Sequence, residues 1–128
     1  QLTNVAYLNL YQSNLVGALQ PAICSITRLE MLYLPLSAHV NSLPACLATM
    51  PRLRRVHAAS CALTSVASDW RALPLERIDF SLNKLTMPLP LLDSARQVNL
   101  TLVNFANNQL TGRFVCRCFL ESASTRVL

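Results

Sequence analysis

Leu8, Leu32, Val56, Ile78 and Val103 stand 24, 24, 22 and 25 residues apart, and three further columns of apolar residues keep step with them. Three residues before each lies Val5, Leu29, Leu53, Leu75 or Leu100; two after each lies Leu10, Leu34, Ala58, Phe80 or Phe105; five beyond that lies Leu15, His39, Leu63, Leu85 or Leu110. Nineteen of these twenty positions are apolar in a chain that is 52% apolar, and Val40 sits beside the one exception, His39. A unit this short cannot enclose a core of its own. It is stable only when copies stack and bury one another's apolar faces.

Local physics follows from the central x-L-x-L-x segment of each copy. Alternation at period two sends Leu8 and Leu10 to one face and Tyr7, Asn9 and Tyr11 to the other. Parallel pairing of successive segments merges the apolar columns into one core and satisfies neighbouring backbones. The rest of each copy must then bring the chain back by a right-handed crossover. Pro21-Ala22-Ile23-Cys24-Ser25-Ile26 and Pro44-Ala45-Cys46-Leu47-Ala48-Thr49-Met50 suit such returns, with apolar residues three apart and Pro near the start of a short helical turn.

The segment Leu8-Asn9-Leu10-Tyr11-Gln12-Ser13-Asn14-Leu15 reappears as Ile78-Asp79-Phe80-Ser81-Leu82-Asn83-Lys84-Leu85 and as Val103-Asn104-Phe105-Ala106-Asn107-Asn108-Gln109-Leu110. Weaker copies begin at Leu32-Tyr33-Leu34 and Val56-His57-Ala58. This pattern resembles the leucine-rich repeat family, L-x-x-L-x-L-x-x-N-x-L, over residues 2 to 114. Leu15-Val16-Gly17-Ala18-Leu19, Leu110-Thr111-Gly112-Arg113-Phe114, Leu43-Pro44 and Leu89-Pro90 look like the L-x-G-x-L/I-P extension of a subclass found in plant receptor ectodomains and protist surface antigens. The third copy departs from it, with Leu63, Val66, Trp70 and Leu73 spaced like a shorter subclass. The resemblance implies an α/β fold: a right-handed leucine-rich-repeat solenoid with a short parallel β-sheet on its concave side and 3-10 or short helical segments on its convex side. About five repeats would occupy 1–114, with a C-terminal cap or tail over 115–128. The family's Asn position is filled by Ser13, Ser37, Cys61, Asn83 and Asn108. An Asn there can bond backbone groups of adjacent turns, so the N-terminal half is expected to be less well tied and Cys61 to be a buried structural thiol.

Composition narrows the function classes. Leu supplies 25 of 128 residues, Gly 2 and charged side chains 17, which excludes a Gly-rich linker or a charged coiled coil. No apolar run reaches the roughly 18 residues of a membrane span, and the N-terminus lacks the pattern of an intact signal peptide. The net charge of +5 comes from cations spread between Arg28 and Arg126, a distribution that singles out no nucleic acid. Arg52, Arg54 and Arg55 form the nearest approach to a cluster and read as a solvated rim, with an anionic contact as the other reading. The five cysteines, at 24, 46, 61, 116 and 118, do not make a zinc set, and only His39 and His57 could assist. No catalytic constellation emerges: His57 points outward where Cys61 points in, Asp69, Glu76 and Asp93 fall in different turns, and Gly17 and Gly112 are the only glycines for a phosphate loop. The expectation is a non-enzyme without metal or cofactor.

What the repeat creates is a surface. Its outward columns run Tyr7, Met31, Arg55, Arg77, Leu102; then Asn9, Tyr33, His57, Asp79, Asn104; then Tyr11, Pro35, Ala59, Ser81, Ala106. Tyr and Arg dominate the energetic centres of protein interfaces, although Tyr also favours strands for packing alone. Tyr7, Asn9, Tyr11, Tyr33, Arg55, His57, Arg77 and Asp79 are therefore the candidate contacts for a protein or peptide ligand. The alternative is a structural subunit that packs through its ends and edges in a larger assembly or surface coat. Asn99-Leu100-Thr101 is the only N-glycosylation sequon. Cys24 and Cys46 occupy return segments of neighbouring copies, two residues out of register; a lateral disulfide requires Cα atoms within about 7 Å. Cys116 and Cys118 follow the last copy, where a cysteine-containing cap or an intermolecular bond is the expectation. The first copy starts at Leu2, so flanking repeats or a neighbouring subunit are expected against that end. The repeat subclass, the sequon and the cysteines together favour an extracellular or cell-surface setting.

Overall fold

The structure, a computed structural model, describes residues 4–11, 13, 17–34, 40–93, 95–112 and the backbone of 126–127. Leu15, Pro35, Ser37, His39, Cys116, Cys118 and most of the expected C-terminal cap lie outside the described residues. Five three-residue strands form the sheet: β1 (Tyr7–Asn9), β2 (Met31–Tyr33), β3 (Arg55–His57), β4 (Arg77–Asp79) and β5 (Leu102–Asn104). They lie parallel and in chain order. The backbone of β6 (Arg126–Val127) adds alongside β5.

The register is the one the sequence period implies. Leu8 pairs with Leu32, Leu32 with Val56, Val56 with Ile78 and Ile78 with Val103, in single file across the sheet. One backbone bond recurs ahead of β2, β3, β4 and β5: Glu30 N–H donates to Ala6 O, Arg54 to Glu30 O, Glu76 to Arg54 O and Thr101 to Glu76 O, at 2.7 to 2.9 Å. Another recurs after β1 to β4: Leu10, Leu34, Ala58 and Phe80 N–H donate to Tyr33, His57, Asp79 and Asn104 O. Each circuit thus satisfies the next, an arrangement consistent with a repeat solenoid.

The four apolar columns make the core. Leu29, Leu53, Leu75 and Leu100, then Leu32, Val56, Ile78 and Val103, then Leu34, Ala58, Phe80 and Phe105, and in the fourth column Leu63 and Leu85, are all buried, with Leu110 partly so. Burying each of the larger side chains is worth about 1.5–3 kcal/mol. Phe80 meets Trp70 and Phe105 edge-on, with ring centroids 5.8 and 5.5 Å apart. Val40 is buried where the frame places His39, and Val66, Trp70 and Leu73 of the shorter third copy are buried too. Val5, Leu8 and Leu10 of the first copy are only partly buried.

The returns begin as 3-10 turns at Pro21–Ser25 and Ala45–Thr49. Pro21 stands at the first position of its turn, where no N–H is needed, and Pro44 caps the second. These turns lie side by side and are joined by a Cys24–Cys46 disulfide, with Cα atoms 6.2 Å apart. The later returns instead meet through isolated bridges, Ser42 with Ser65 and Asp69 with Leu91. Just past the strands, Ser60, Leu82 and Asn107 occupy equivalent positions and all have φ near +56°.

Asn83 and Asn108 do what the repeat asks of them. Asn83 Oδ1 accepts from Cys61 N–H and Leu63 N–H at 3.0 and 2.9 Å, and its Nδ2 donates to Ala58 O, Phe80 O and Ser81 O. Asn108 Oδ1 accepts from Leu85 N–H, and its Nδ2 reaches Phe80 O in the preceding circuit. Cys61, fully buried, donates its Sγ to Leu34 O, the corresponding carbonyl one circuit earlier. Ser13 Oγ donates to Leu10 O of its own circuit. Ser13 belongs to the first circuit, and Ser37 lies outside the described residues. Gln97, 3% exposed, was not anticipated: its Nε2 donates to Trp70 O and Leu73 O and its Oε1 accepts from Asp93 N–H, stitching the fourth return to the third.

Two stability effects are expected. Asn83→Ala strands buried backbone groups in two circuits and should lower unfolding free energy by roughly 2–4 kcal/mol in a urea titration, whereas Asn41→Ala, at an exposed position, should change it little. Replacing Cys24 and Cys46 together by Ser should cost about 3 kcal/mol, the value expected for opening a loop of that length.

Candidate functional site

Strand alternation that buries Leu32, Val56 and Ile78 leaves the residues on either side facing solvent, and the register sets them in columns. Tyr7, Met31, Arg55, Arg77 and Leu102 are successive partners in one; Asn9, Tyr33, His57, Asp79 and Asn104 in the next. Seven of the eight candidate contacts fall in these two columns, and Tyr11 follows shortly after β1. Tyr7 is 48% exposed and Tyr11 50%, while Tyr33, Arg55, His57 and Asp79 are half-buried by their neighbours.

The aromatic groups form a line. The Tyr7 and Tyr33 ring centroids are 5.7 Å apart and those of Tyr33 and His57 5.5 Å, both tilted. His57 Nδ1 then lies 3.4 Å from Asp79 Oδ2. At the other end Asn9 Nδ2 donates to the Tyr7 hydroxyl at 3.3 Å. Five residues from four strands are thereby placed in sequence along one surface, each braced by the next.

Asn9 and Asp79 also have a structural duty that the sequence did not reveal. Asn9 Oδ1 accepts from Tyr11 N–H, Asp79 Oδ1 from Ser81 N–H and Asn104 Oδ1 from Ala106 N–H, at 2.8 to 3.1 Å. The same side-chain turn closes β1, β4 and β5, which is why short acceptors recur in this column. Ser81 Oγ also donates to Asp79 Oδ1 at 2.7 Å. The hydroxyl beside the His57–Asp79 pair is thus bonded to the carboxylate, not to the imidazole as a nucleophile would be.

Glu76, in a different turn from Asp69 and Asp93, organises the charged flank. Its Oε2 accepts from Arg55 Nε at 2.9 Å and lies 2.8 Å from Nη2, and its Oε1 accepts from Arg54 Nη1 at 3.1 Å. Arg55 is thereby held beside Met31, with Nη1 3.7 Å from Sδ. The signal was present in the frame: Glu30, Arg54 and Glu76 occupy the same position ahead of successive strands and alternate in sign. Burial opposes ionisation of Glu76, but the hydrogen bonds and charges of Arg55 and Arg54 outweigh it, so its pKa lies below the ordinary 4.5. Arg77, exposed on the next strand, makes no ion pair with any described residue. A different pair, Asp69 with Arg71, sits in the return after β3, where the Arg71 hydrogen bonds hold the Asp69 carboxyl at about 2.

Among the described residues no group of three or more His, Cys, Asp or Glu is close enough to hold a metal ion, and no helix is long and apolar enough to cross a membrane. In comparisons with known proteins, no family model, no curated protein and no solved structure matches the chain.

The lowered Glu76 pKa carries a sign. The folded state binds the charged form more tightly, so this stabilisation is present above pH 4.5 and is lost as pH falls through the lower folded value. Both arginines are partly exposed, which limits the effect to about 1 kcal/mol or less. Thermal melts between pH 6 and pH 3 should show a steeper acid decline for the unaltered chain than for Glu76→Gln.

Proposed function

We propose that the chain is a right-handed leucine-rich-repeat solenoid whose sheet lines the concave side, and that this face is a protein-recognition surface of a secreted or cell-surface protein. The observation that carries the reading is the braced line Tyr7–Tyr33–His57–Asp79 on the solvent side of an in-register sheet. Aromatic rings already held by one another lose little conformational freedom when a partner docks, so more of the contact energy appears as affinity. Arg77, with no ion pair among the described residues, and the chain's net charge of +5 favour a segment carrying a carboxylate beside an apolar or aromatic side chain. The Cys24–Cys46 disulfide supports the placement in an oxidising compartment. No enzymatic activity is part of this reading.

Selection of peptides from a displayed random library against the folded chain tests it. Peptides so obtained should bind the unaltered protein and lose about 2 kcal/mol or more, roughly 30-fold, on Tyr33→Ala, with a smaller loss on Arg55→Ala. Arg71→Ala, in a return segment, should leave binding unchanged. Light scattering on the same variants separates recognition from a purely architectural role. Binding lost with an unaltered assembly state supports recognition, and selected peptides indifferent to Tyr33 and Arg55 refute it.

A further inference from the structure

The sequon Asn99-Leu100-Thr101 is left unused by recognition on the sheet face, and the repeat itself dictates how it is presented. Leu100 fills the column of Leu29, Leu53 and Leu75 and is 2% exposed, so the residue before it must turn outward. At the same position in the other copies Asn4, Arg28 and Arg52 are exposed and Pro74 is half-buried, and Asn99 itself is exposed. On the other side, Thr101 is exposed and fixed against the preceding circuit, its N–H and Oγ1 donating to Glu76 O at 2.8 and 3.2 Å. The Asn99 carboxamide makes no side-chain hydrogen bond with any described residue, and its neighbour Val98 is 75% exposed, more than any other large hydrophobic side chain described. A sugar attached at Asn99 would shade that side chain. An independent observation, the Cys24–Cys46 disulfide, points to the oxidising compartment in which such attachment takes place.

We infer that Asn99 is an acceptor for an N-linked glycan. The donor is an oligosaccharide carried on a polyprenyl diphosphate, and the catalyst is a transferase of the secretory pathway. Asn99 Nδ2 forms a bond to C1 of the first sugar as the bond from C1 to the diphosphate oxygen breaks; the polyprenyl diphosphate departs and one Nδ2 proton passes to a base of the transferase. Transfer precedes closure of the fourth and fifth circuits, because the Thr101 hydroxyl is engaged by Glu76 O once they are in register. The glycan then stands on the strand-start edge beside β5, three strands from Tyr33. This assignment is independent of what the sheet face binds.

Translation of the chain behind a cleavable leader into endoplasmic-reticulum microsomes tests the assignment. The unaltered chain and Thr101→Ser should show a mobility shift that is reversed by peptide N-glycosidase, and Asn99→Gln and Thr101→Ala should show none. Because attachment is read in the microsome, the result does not depend on the variants folding. Digestion of the unaltered product with the glycosidase in heavy-oxygen water, then trypsin, should place the label at Asn99 in the peptide Gln97–Arg113. A translocated chain with no shift and no label in that peptide overturns the inference.

Discussion

No single circuit of this chain can keep water from its own leucines; the circuits on either side do it. The burial of Leu32 between Leu8 and Val56, repeated through Ile78 and Val103, is the interaction on which the sheet, the turns and the exposed face all depend. Because hydrophobic burial is non-directional, it would tolerate slippage between circuits. The recurring backbone bonds from Glu30, Arg54, Glu76 and Thr101 to the carbonyl one circuit back remove that freedom, since a slip of one residue would turn every inward side chain out.

Polar ties are distributed unevenly along the stack. Asn83 and Asn108 each bridge two circuits with a full carboxamide, Cys61 spans the same step with one sulfur donor, and Ser13 stays within its own turn. The disulfide joins the first two returns, in the half where the amide ladder is missing, and Gln97 joins the third and fourth. A covalent bond at one end and buried carboxamides at the other hold the same kind of junction by different chemistry. A rigid face follows from this, because the outward side chains inherit their spacing from strands that cannot shift independently.

On that face, residues proposed for recognition also carry structural duties. Asn9 and Asp79 close the turns after their strands and also stand in the exposed column, so their replacement would disturb backbone as well as contact. Tyr33 and Arg77 have no such backbone duty, which makes them the better reporters of binding. Glu76 contributes from below by fixing Arg54 and Arg55, and leaves Arg77 as the cation on this face without an ion pair among the described residues.

The sequence by itself determined the stack: nineteen apolar positions in four synchronous columns specify which residues point inward, the strand order and the register, because a period-two segment repeated every 24 or so residues has one way to bury its leucines. It also indicated Asn83 and Asn108 as ties and the outward columns as the exposed face. Only the tertiary structure decided the rest. That Cys24 and Cys46 come within bonding distance despite being two residues out of register, that Glu76 serves two arginines, that Gln97 is buried and that Tyr7, Tyr33 and His57 stand ring to ring all depend on distances between circuits. Periodicity fixes which face a side chain takes, whereas contact between side chains depends on rotamers and on spacings of a few ångströms that a linear pattern does not encode.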